Sequence, residues 1–85
     1  MSAVKLSLYH YLGCSFCHVV RQTIDRLGLE VEERDILESS ARRPELIEAT
    51  GRKTVPCLRI ESQEGEVEWK HDSRDIIDYL QNLGA

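Results

Sequence analysis

Two cysteines separated by two residues, Cys14 and Cys17, are the residues of this chain best suited to chemistry. They lie in the stretch GCSFCHVV, where His18 directly follows the second cysteine. This arrangement is compatible with a dithiol redox pair, a haem attachment site or half of a zinc site. The rest of the chain has to decide between the three.

The haem interpretation lacks a clear second axial ligand elsewhere in the sequence, and the zinc interpretation lacks a second ligand pair of the usual spacing. Attached haem usually takes a second axial ligand such as methionine, and Met1 is the only methionine. A structural zinc ion needs four ligands, commonly from a second pair of cysteines or a pair of histidines. Cys57 and His71 are candidates, but both lie in segments whose roles are simpler to explain. The dithiol interpretation is therefore favoured.

A dithiol site requires the first cysteine to stand at the start of a helix, and the hydrophobic pattern predicts this. KLSLYHY alternates like a strand, and a helix is expected from Ser15 to Gly28. Unpaired N–H groups at the helix start would then point toward the Cys14 sulfur. Cys17, one turn later, would be close enough to attack a disulfide formed on Cys14. The predicted apolar side of the helix contains Phe16, Val19, Val20, Ile24 and Leu27.

The middle of the chain predicts a short strand around Val31 and a second helix that ends at Gly51. The helix is expected to start near Ser40, with Ser39 or Ser40 as its cap, because Pro44 is tolerated only in the first turn.

The last third predicts two strands and a helix. TVPCLRIE and EGEVEWK are expected to form the strands, with a turn at Glu64-Gly65, and DSRDIIDYLQNL forms the helix. The order β-α-β-α-β-β-α indicates an α/β three-layer fold, with a mixed four-stranded sheet and helices on both faces. The inward side of the last helix is predicted to contain Ile76, Ile77, Leu80 and Leu83.

Composition excludes several classes of function. The 85 residues are enough for a single domain, expected to span residues 1–85. The net charge is −4 and the 11 Lys and Arg residues are scattered, which argues against nucleic acid as a partner. No segment has the apolar length of a signal peptide or a membrane span. We expect a cytoplasmic monomer that does not bind a membrane.

A second signal, TGRKTVPCLRI, follows the cysteines at a distance of about forty residues. Thr54-Val55-Pro56 resembles the cis-proline element of thioredoxin-like proteins, in which the residue before the proline pairs its backbone with the substrate. With LYHYLGCSFCHVVRQTIDRLGL before it and HDSRDIIDYL after it, the chain resembles a glutaredoxin, and also the related N-terminal domain of glutathione transferases. The resemblance covers nearly the whole chain and implies the thioredoxin-like fold.

The resemblance implies glutathione-dependent disulfide exchange. The Cys14 thiolate would attack a protein disulfide or a glutathione mixed disulfide, and the co-substrate glutathione or Cys17 would resolve the intermediate. The implied partners are glutathione and disulfide-containing or glutathionylated proteins. No metal is required for this reaction.

The resemblance also assigns residues to glutathione. Val55, between Thr54 and Pro56, would pair with the cysteinyl backbone. Asp72 and Ser73 would bind the amino group and the carboxylate of the γ-glutamyl end at the start of the last helix.

Two basic residues are assigned to the other end of glutathione, and one expected lysine is missing. Lys53 and Arg43 would attract the glycine carboxylate. Many glutaredoxins carry a lysine three residues before the first cysteine, where this chain has Tyr11.

The sequence leaves two alternatives open. Ser15 stands where C-P-Y-C has proline, and some glutaredoxins without that proline bind a [2Fe–2S] cluster between two protomers, with two glutathiones. Cys14 would then be the protein ligand. A glutathione-binding transferase-like domain is the other alternative, although Cys17 would have no purpose there.

Two further residues near the motif are expected to have no catalytic role. His18 falls on the polar side of its helix and should face solvent. Cys57 follows Pro56 in a predicted core strand and should be a buried, inert thiol.

Overall fold

The computed structural model describes residues 4–38, 41–52 and 54–84 of the 85-residue chain. The predicted order of elements is confirmed. β2 begins after Val31, around which it was predicted, and β3 begins later than expected, so that Thr54, Val55 and Pro56 precede the strand. The elements are β1 (Lys5–His10), α1 (Ser15–Leu27), β2 (Glu32–Asp35), α2 (Arg42–Thr50), β3 (Cys57–Glu61), β4 (Val67–Lys70) and α3 (Ser73–Gly84).

The four strands form one mixed sheet in the order β2-β1-β3-β4. β1 is parallel to β2 and antiparallel to β3, and β3 is antiparallel to β4. The carboxyl ends of β1, β2 and β4 and the start of β3 therefore meet at one edge of the sheet. This edge brings together the loop before Cys14, the Val55-Pro56 segment and the start of α3.

One face of the sheet, here called the α1/α3 face, is covered by α1 and α3. Ile77 and Leu83 pack against its apolar cluster, as predicted. The buried members of the cluster are Leu6, Leu8, Val20, Ile24, Leu58, Ile60, Ile76 and Leu80.

The opposite face, here called the α2 face, has a smaller apolar cluster. Within Arg42–Thr50, the one buried side chain is Leu46. Tyr11, Val55 and Trp69 pack against the cluster, whose buried members are Tyr9, Ile36, Leu46 and Cys57. Helices thus cover both faces, as the sequence predicts, but unequally.

The predicted apolar side of α1 is partly wrong. Phe16 and Val19 are 64% and 47% exposed, whereas the buried side chains are Cys17, Val20, Thr23 and Ile24. Phe16 and Val19 each precede a buried residue and are rotated from it by about 100°, which turns them toward solvent.

The ends of α2 agree with the prediction except at the cap. Gly51, with φ 73°, ends the helix, and Pro44 lies in its first turn. Ala41 is the N-cap and makes no side-chain cap hydrogen bond, so neither predicted serine stands at that position. Ser39 and Ser40 lie outside the described residues. None of the helices in the described part of the chain has the length and apolar character needed to cross a membrane.

Candidate functional site

Cys14 is the N-cap residue of α1, and its sulfur faces the first turn of the helix. The backbone N–H of Cys17 donates to Cys14 Sγ at 3.3 Å, so the predicted contact between the helix start and the sulfur is confirmed. The Cys14 N–H donates to the Tyr11 carbonyl at 3.2 Å and closes the preceding turn. On the other side, Cys14 Sγ lies 4.0 Å from the Val55 carbonyl oxygen. The sulfur is half-buried between α1 and the segment that enters β3.

Cys17 is a very different thiol. Its side chain is only 1% exposed. Burial, followed by the hydrogen bond with Cys14, raises the pKa of Cys17 to about 12, against smaller opposing effects of the Tyr11 backbone and Arg21. Cys17 therefore stays protonated at neutral pH while both cysteines are reduced.

The segment before β3 presents its backbone to Cys14. The Val55–Pro56 peptide bond is cis. Pro56 is buried, and Val55 is half-buried with its side chain against the α2 face. Thr54 is exposed, and Lys53, the other residue predicted in this segment, lies outside the described residues.

A groove of about 580 Å³ opens beside this segment on the α2 side of the sheet. Leu37, which is 68% exposed, contributes an apolar wall, and Arg43 of α2 contributes a positive charge. The complete lining is Tyr11, Ile36, Leu37, Arg43, Thr54 and Val55. The structure thus places three of the predicted residues, Arg43, Thr54 and Val55, in one groove, and the carbonyl oxygen of Val55 lies 4.0 Å from Cys14 Sγ.

The predicted residues at the start of α3 lie at the same sheet edge but outside the lining of this groove. Asp72 caps the helix, because its Oδ1 accepts from the Arg74 N–H at 2.8 Å and the Asp75 N–H at 3.4 Å. Asp72 is exposed and Ser73 is half-buried. The cap is a structural role for Asp72, and its contact with glutathione stays a prediction.

The two side chains expected to be inert lie where the sequence predicted. His18 is exposed, and Cys57 is fully buried. Burial raises the pKa of Cys57 to about 12, and its sulfur lies 3.9 Å from Nε2 of His71. Within residues 4–38, 41–52 and 54–84, no group of three or more His, Cys, Asp or Glu side chains is arranged to hold a metal ion.

Sequence reasoning missed part of the groove. Ile36 and Leu37 follow β2 and line it, although nothing in their local pattern distinguishes them from ordinary core residues. It also missed a cluster of charged side chains around Tyr9, because charges in an edge strand and a short helix look like solvated surface.

Sequence comparison relates the chain to two groups of proteins. The family model described as the N-terminal domain of glutathione S-transferase matches residues 8–84. Glutaredoxin 3 of Escherichia coli strain K12 is 31% identical over 59 residues, which are 69% of this chain and 71% of that protein.

Solved structures agree with this fold. A maleylacetoacetate isomerase from Anaeromyxobacter dehalogenans 2CP-1, solved with bound GSH in its active site, matches 99% of this chain with a TM-score of 0.75 and 23% identity. Glutathione transferase Omega 2S from Trametes versicolor matches 95% of this chain with a TM-score of 0.77 and 15% identity. The chain spans 39% and 37% of these two structures, and at such identities the likeness shows the fold alone.

Proposed function

Because the chain belongs to the thioredoxin-like family of glutaredoxins and glutathione S-transferase N-terminal domains, we propose that it is a glutathione-dependent thiol–disulfide oxidoreductase. Its substrates are protein disulfides and glutathione mixed disulfides. The observation that carries the proposal is the half-buried Cys14 sulfur at the start of α1, which accepts the Cys17 N–H at 3.3 Å. Negative charge on this sulfur is stabilised by the N–H group and by the positive end of the helix.

In the first step the Cys14 thiolate attacks a substrate disulfide. A bond forms between Cys14 Sγ and one substrate sulfur, the substrate S–S bond breaks, and the second substrate sulfur leaves as a thiolate that takes a proton from solvent. The Val55 carbonyl, 4.0 Å from the Cys14 sulfur, lies beside the reacting atoms. An extended substrate segment can pair with the Val55 backbone there, which would hold its disulfide in line with Cys14.

In the second step another thiol releases Cys14. When Cys14 carries glutathione, a second glutathione thiolate attacks the glutathione sulfur, forms oxidised glutathione and returns Cys14 as a thiolate. Cys17 is only 1% exposed, and burial is the largest cause of the raised pKa that it has in the reduced pair, so burial disfavours its thiolate in this step as well. A protonated thiol is a poor nucleophile, so we assign this step to glutathione for small mixed disulfides.

The groove next to Cys14 supplies the glutathione site in this proposal. Arg43 attracts the glycine carboxylate, and the Val55 backbone pairs with the cysteinyl residue. The start of α3, at the same sheet edge, offers Asp72 and Ser73 to the γ-glutamyl end. Lys53, which the family resemblance also assigns to the glycine carboxylate, would add a second positive charge for that group.

A second candidate function is a glutathione-binding domain that does not reduce disulfides. The observation in its favour is the match of residues 8–84 to the transferase N-terminal domain. Such a domain would use the same groove and Cys14, but it would not turn over a disulfide substrate.

The test is glutathione-dependent reduction of a small mixed disulfide, coupled to glutathione reductase. Three proteins are compared: wild type, Cys14→Ser and Cys17→Ser. We expect turnover in the wild type, loss of turnover in Cys14→Ser because the nucleophile is gone, and retained turnover in Cys17→Ser because glutathione resolves the intermediate.

Cys57→Ala is the matched control, because it removes the third thiol, which is fully buried. It should retain turnover. An inactive wild type would reject the oxidoreductase proposal and leave glutathione binding, or a cluster ligated by Cys14, to be measured next. Equal activity in Cys14→Ser and the wild type would reject Cys14 as the nucleophile.

A further inference from the structure

The groove has one wall on α2, yet α2 is weakly anchored by apolar contacts. The helix has nine residues and buries the Leu46 side chain alone. A helix of this length is not stable by itself in water. Since Arg43 on this helix lines the groove, the position of α2 must depend on other interactions that affect the groove as well.

A cluster of polar side chains on the α2 face supplies those interactions. We call Tyr9, Glu32, Arg34, Arg42 and Glu45 the Tyr9–Glu45 cluster. The Tyr9 hydroxyl donates a hydrogen bond to Glu45 Oε1. Arg34 Nη1 donates to the Tyr9 hydroxyl at 2.7 Å and to Glu45 Oε1 at 3.0 Å.

The outer part of the cluster extends these contacts along α2. Arg42 Nη1 lies 3.2 Å from Glu45 Oε1, and Arg42 Nη2 lies 3.6 Å from Glu32 Oε1. Arg34 Nε donates to the same Glu32 oxygen at 2.5 Å. Each arginine thus joins a glutamate of β2 to the glutamate of α2.

The Tyr9 end of the cluster is shielded from water, whereas the Glu45 and Glu32 side chains are 40% and 53% exposed. Tyr9 is fully buried, and the Arg34 side chain is 17% exposed. A buried hydroxyl without a partner costs free energy, so Tyr9 needs Glu45 and Arg34 in place. The hydrogen bond from Tyr9 also holds the pKa of Glu45 below its usual value, because it favours the carboxylate form that Arg34 and Arg42 contact.

The cluster connects to the groove through three chain segments. Tyr9 is two residues from Tyr11, Arg34 is two residues from Ile36, and Arg42 adjoins Arg43. The second residue of each pair lines the groove. A displacement of α2 away from β1 and β2 would therefore move opposite walls of the groove apart.

We propose that the Tyr9–Glu45 cluster fixes α2 against β1 and β2 and thereby sets the affinity of the groove for glutathione, with Glu45 as a positioning residue. This inference rests on the proposed function, because it assigns glutathione to the groove. Glu45 does not touch the ligand. It acts through Arg34 and Tyr9 on the position of the groove walls.

The test compares Glu45→Ala and Glu45→Gln with the control Glu61→Ala. Glu61 accepts from Arg59 Nη1 at 2.8 Å and stands opposite Lys5, at the far end of the sheet from the groove. For the wild type and each variant we would measure kcat, KM for glutathione, and the dissociation constant of reduced glutathione by NMR titration. Glu45→Ala should raise KM and the dissociation constant about three- to tenfold, with kcat changed less than about twofold.

Glu45→Gln keeps the shape of the side chain and should give a smaller rise. It also tests the inference if Glu45→Ala fails to fold. If the wild type is active and KM for glutathione is the same in Glu45→Gln as in the control Glu61→Ala, the inference is overturned and the proposed function stays intact. A fall in kcat without a rise in KM would overturn it as well.

Glutathione binding separates failure of the inference from failure of the proposed function. If the wild type binds glutathione without turnover, the proposed function fails, and a weaker dissociation constant in the Glu45 variants still supports the inference. If the wild type neither binds glutathione nor turns over the mixed disulfide, both are overturned.

Discussion

On the α1/α3 face, two helices bury apolar side chains against the sheet, among them Val20, Ile24, Ile76 and Leu80. On the α2 face, by contrast, one short helix buries Leu46 and is otherwise fixed by ion pairs. Apolar burial contributes about 25 cal/mol per Å² and does not depend on direction. Partly exposed ion pairs contribute about 0–1 kcal/mol each, but they depend on geometry. The two faces therefore contribute differently to the molecule.

The difference matches the two tasks of the proposed site. Cys14 and Cys17 begin the helix of the apolar face, which gives the reacting sulfur a rigid support. The groove lies on the α2 face, where a few polar contacts determine the position of Arg43. We expect substitutions on the α1/α3 face to change folding and substitutions on the α2 face to change binding.

The largest expected contrast is between Leu8→Ala and Leu46→Ala, which remove the same atoms from fully buried positions on the two faces. Leu8→Ala should lower the free energy of unfolding by about 3–5 kcal/mol, because the packed layer around it cannot collapse into the cavity. Leu46→Ala should cost about 2–3 kcal/mol, because α2 can shift toward the sheet. Urea denaturation measures both losses. Under conditions in which both variants are folded, KM for glutathione should rise in Leu46→Ala and not in Leu8→Ala. An equal rise in Leu8→Ala would contradict the assignment of folding to the α1/α3 face and of binding to the α2 face.

Sequence pattern predicts the apolar face well and the polar face poorly, for a physical reason. Ile76, Ile77, Leu80 and Leu83 recur at helical spacing because a helix packed on a sheet must bury one stripe, and the pattern is local. The position of Cys14 at a helix start follows from the same local pattern.

The Tyr9–Glu45 cluster depends instead on contacts between distant residues. Tyr9 and Glu45 are 36 positions apart, and Arg34 joins them from an edge strand. No local pattern encodes that meeting. Phe16 and Val19 illustrate a finer limit, since the apolar pattern includes them but the buried stripe of α1 passes beside them.

A smaller effect is expected at alkaline pH, where the buried thiols of the two faces can be compared. Burial raises the pKa of Cys17 on α1 and of Cys57 on the α2 face from 9.0 to about 12, with the Cys14 hydrogen bond adding to the shift of Cys17. Above about pH 9 the unfolded chain loses these protons and the folded chain keeps them. The contribution of each thiol to the free energy of unfolding should therefore be at its maximum below pH 9. It should fall as the pH rises toward 12, by up to about 1.4 kcal/mol per pH unit for each thiol.

Urea denaturation at pH 8, 9 and 10 under reducing conditions measures this dependence. Cys17→Ala and Cys57→Ala should each make it shallower than in the wild type. Equal reductions would show that the polar-anchored face excludes water as well as the apolar face does. No reduction in Cys57→Ala would mean that water reaches Cys57 and that the α2 face is looser than its contacts indicate.

The smallest expected effect separates the two roles of Asp72, which caps α3 on the apolar face and is assigned to glutathione in the proposed function. Asp72→Asn keeps the cap and loses the charge, so the free energy of unfolding should change by less than about 0.5 kcal/mol. Asp72→Ala loses both and should cost about 1 kcal/mol. If the carboxylate binds the γ-glutamyl amino group, both variants should raise KM for glutathione by a similar, few-fold amount. Arg43→Gln is a control for charge loss without a cap: it removes an exposed charge from α2 that is assigned to the glycine carboxylate, so it should raise KM without a change in stability. A rise in KM limited to Asp72→Ala would instead assign Asp72 to the helix cap alone.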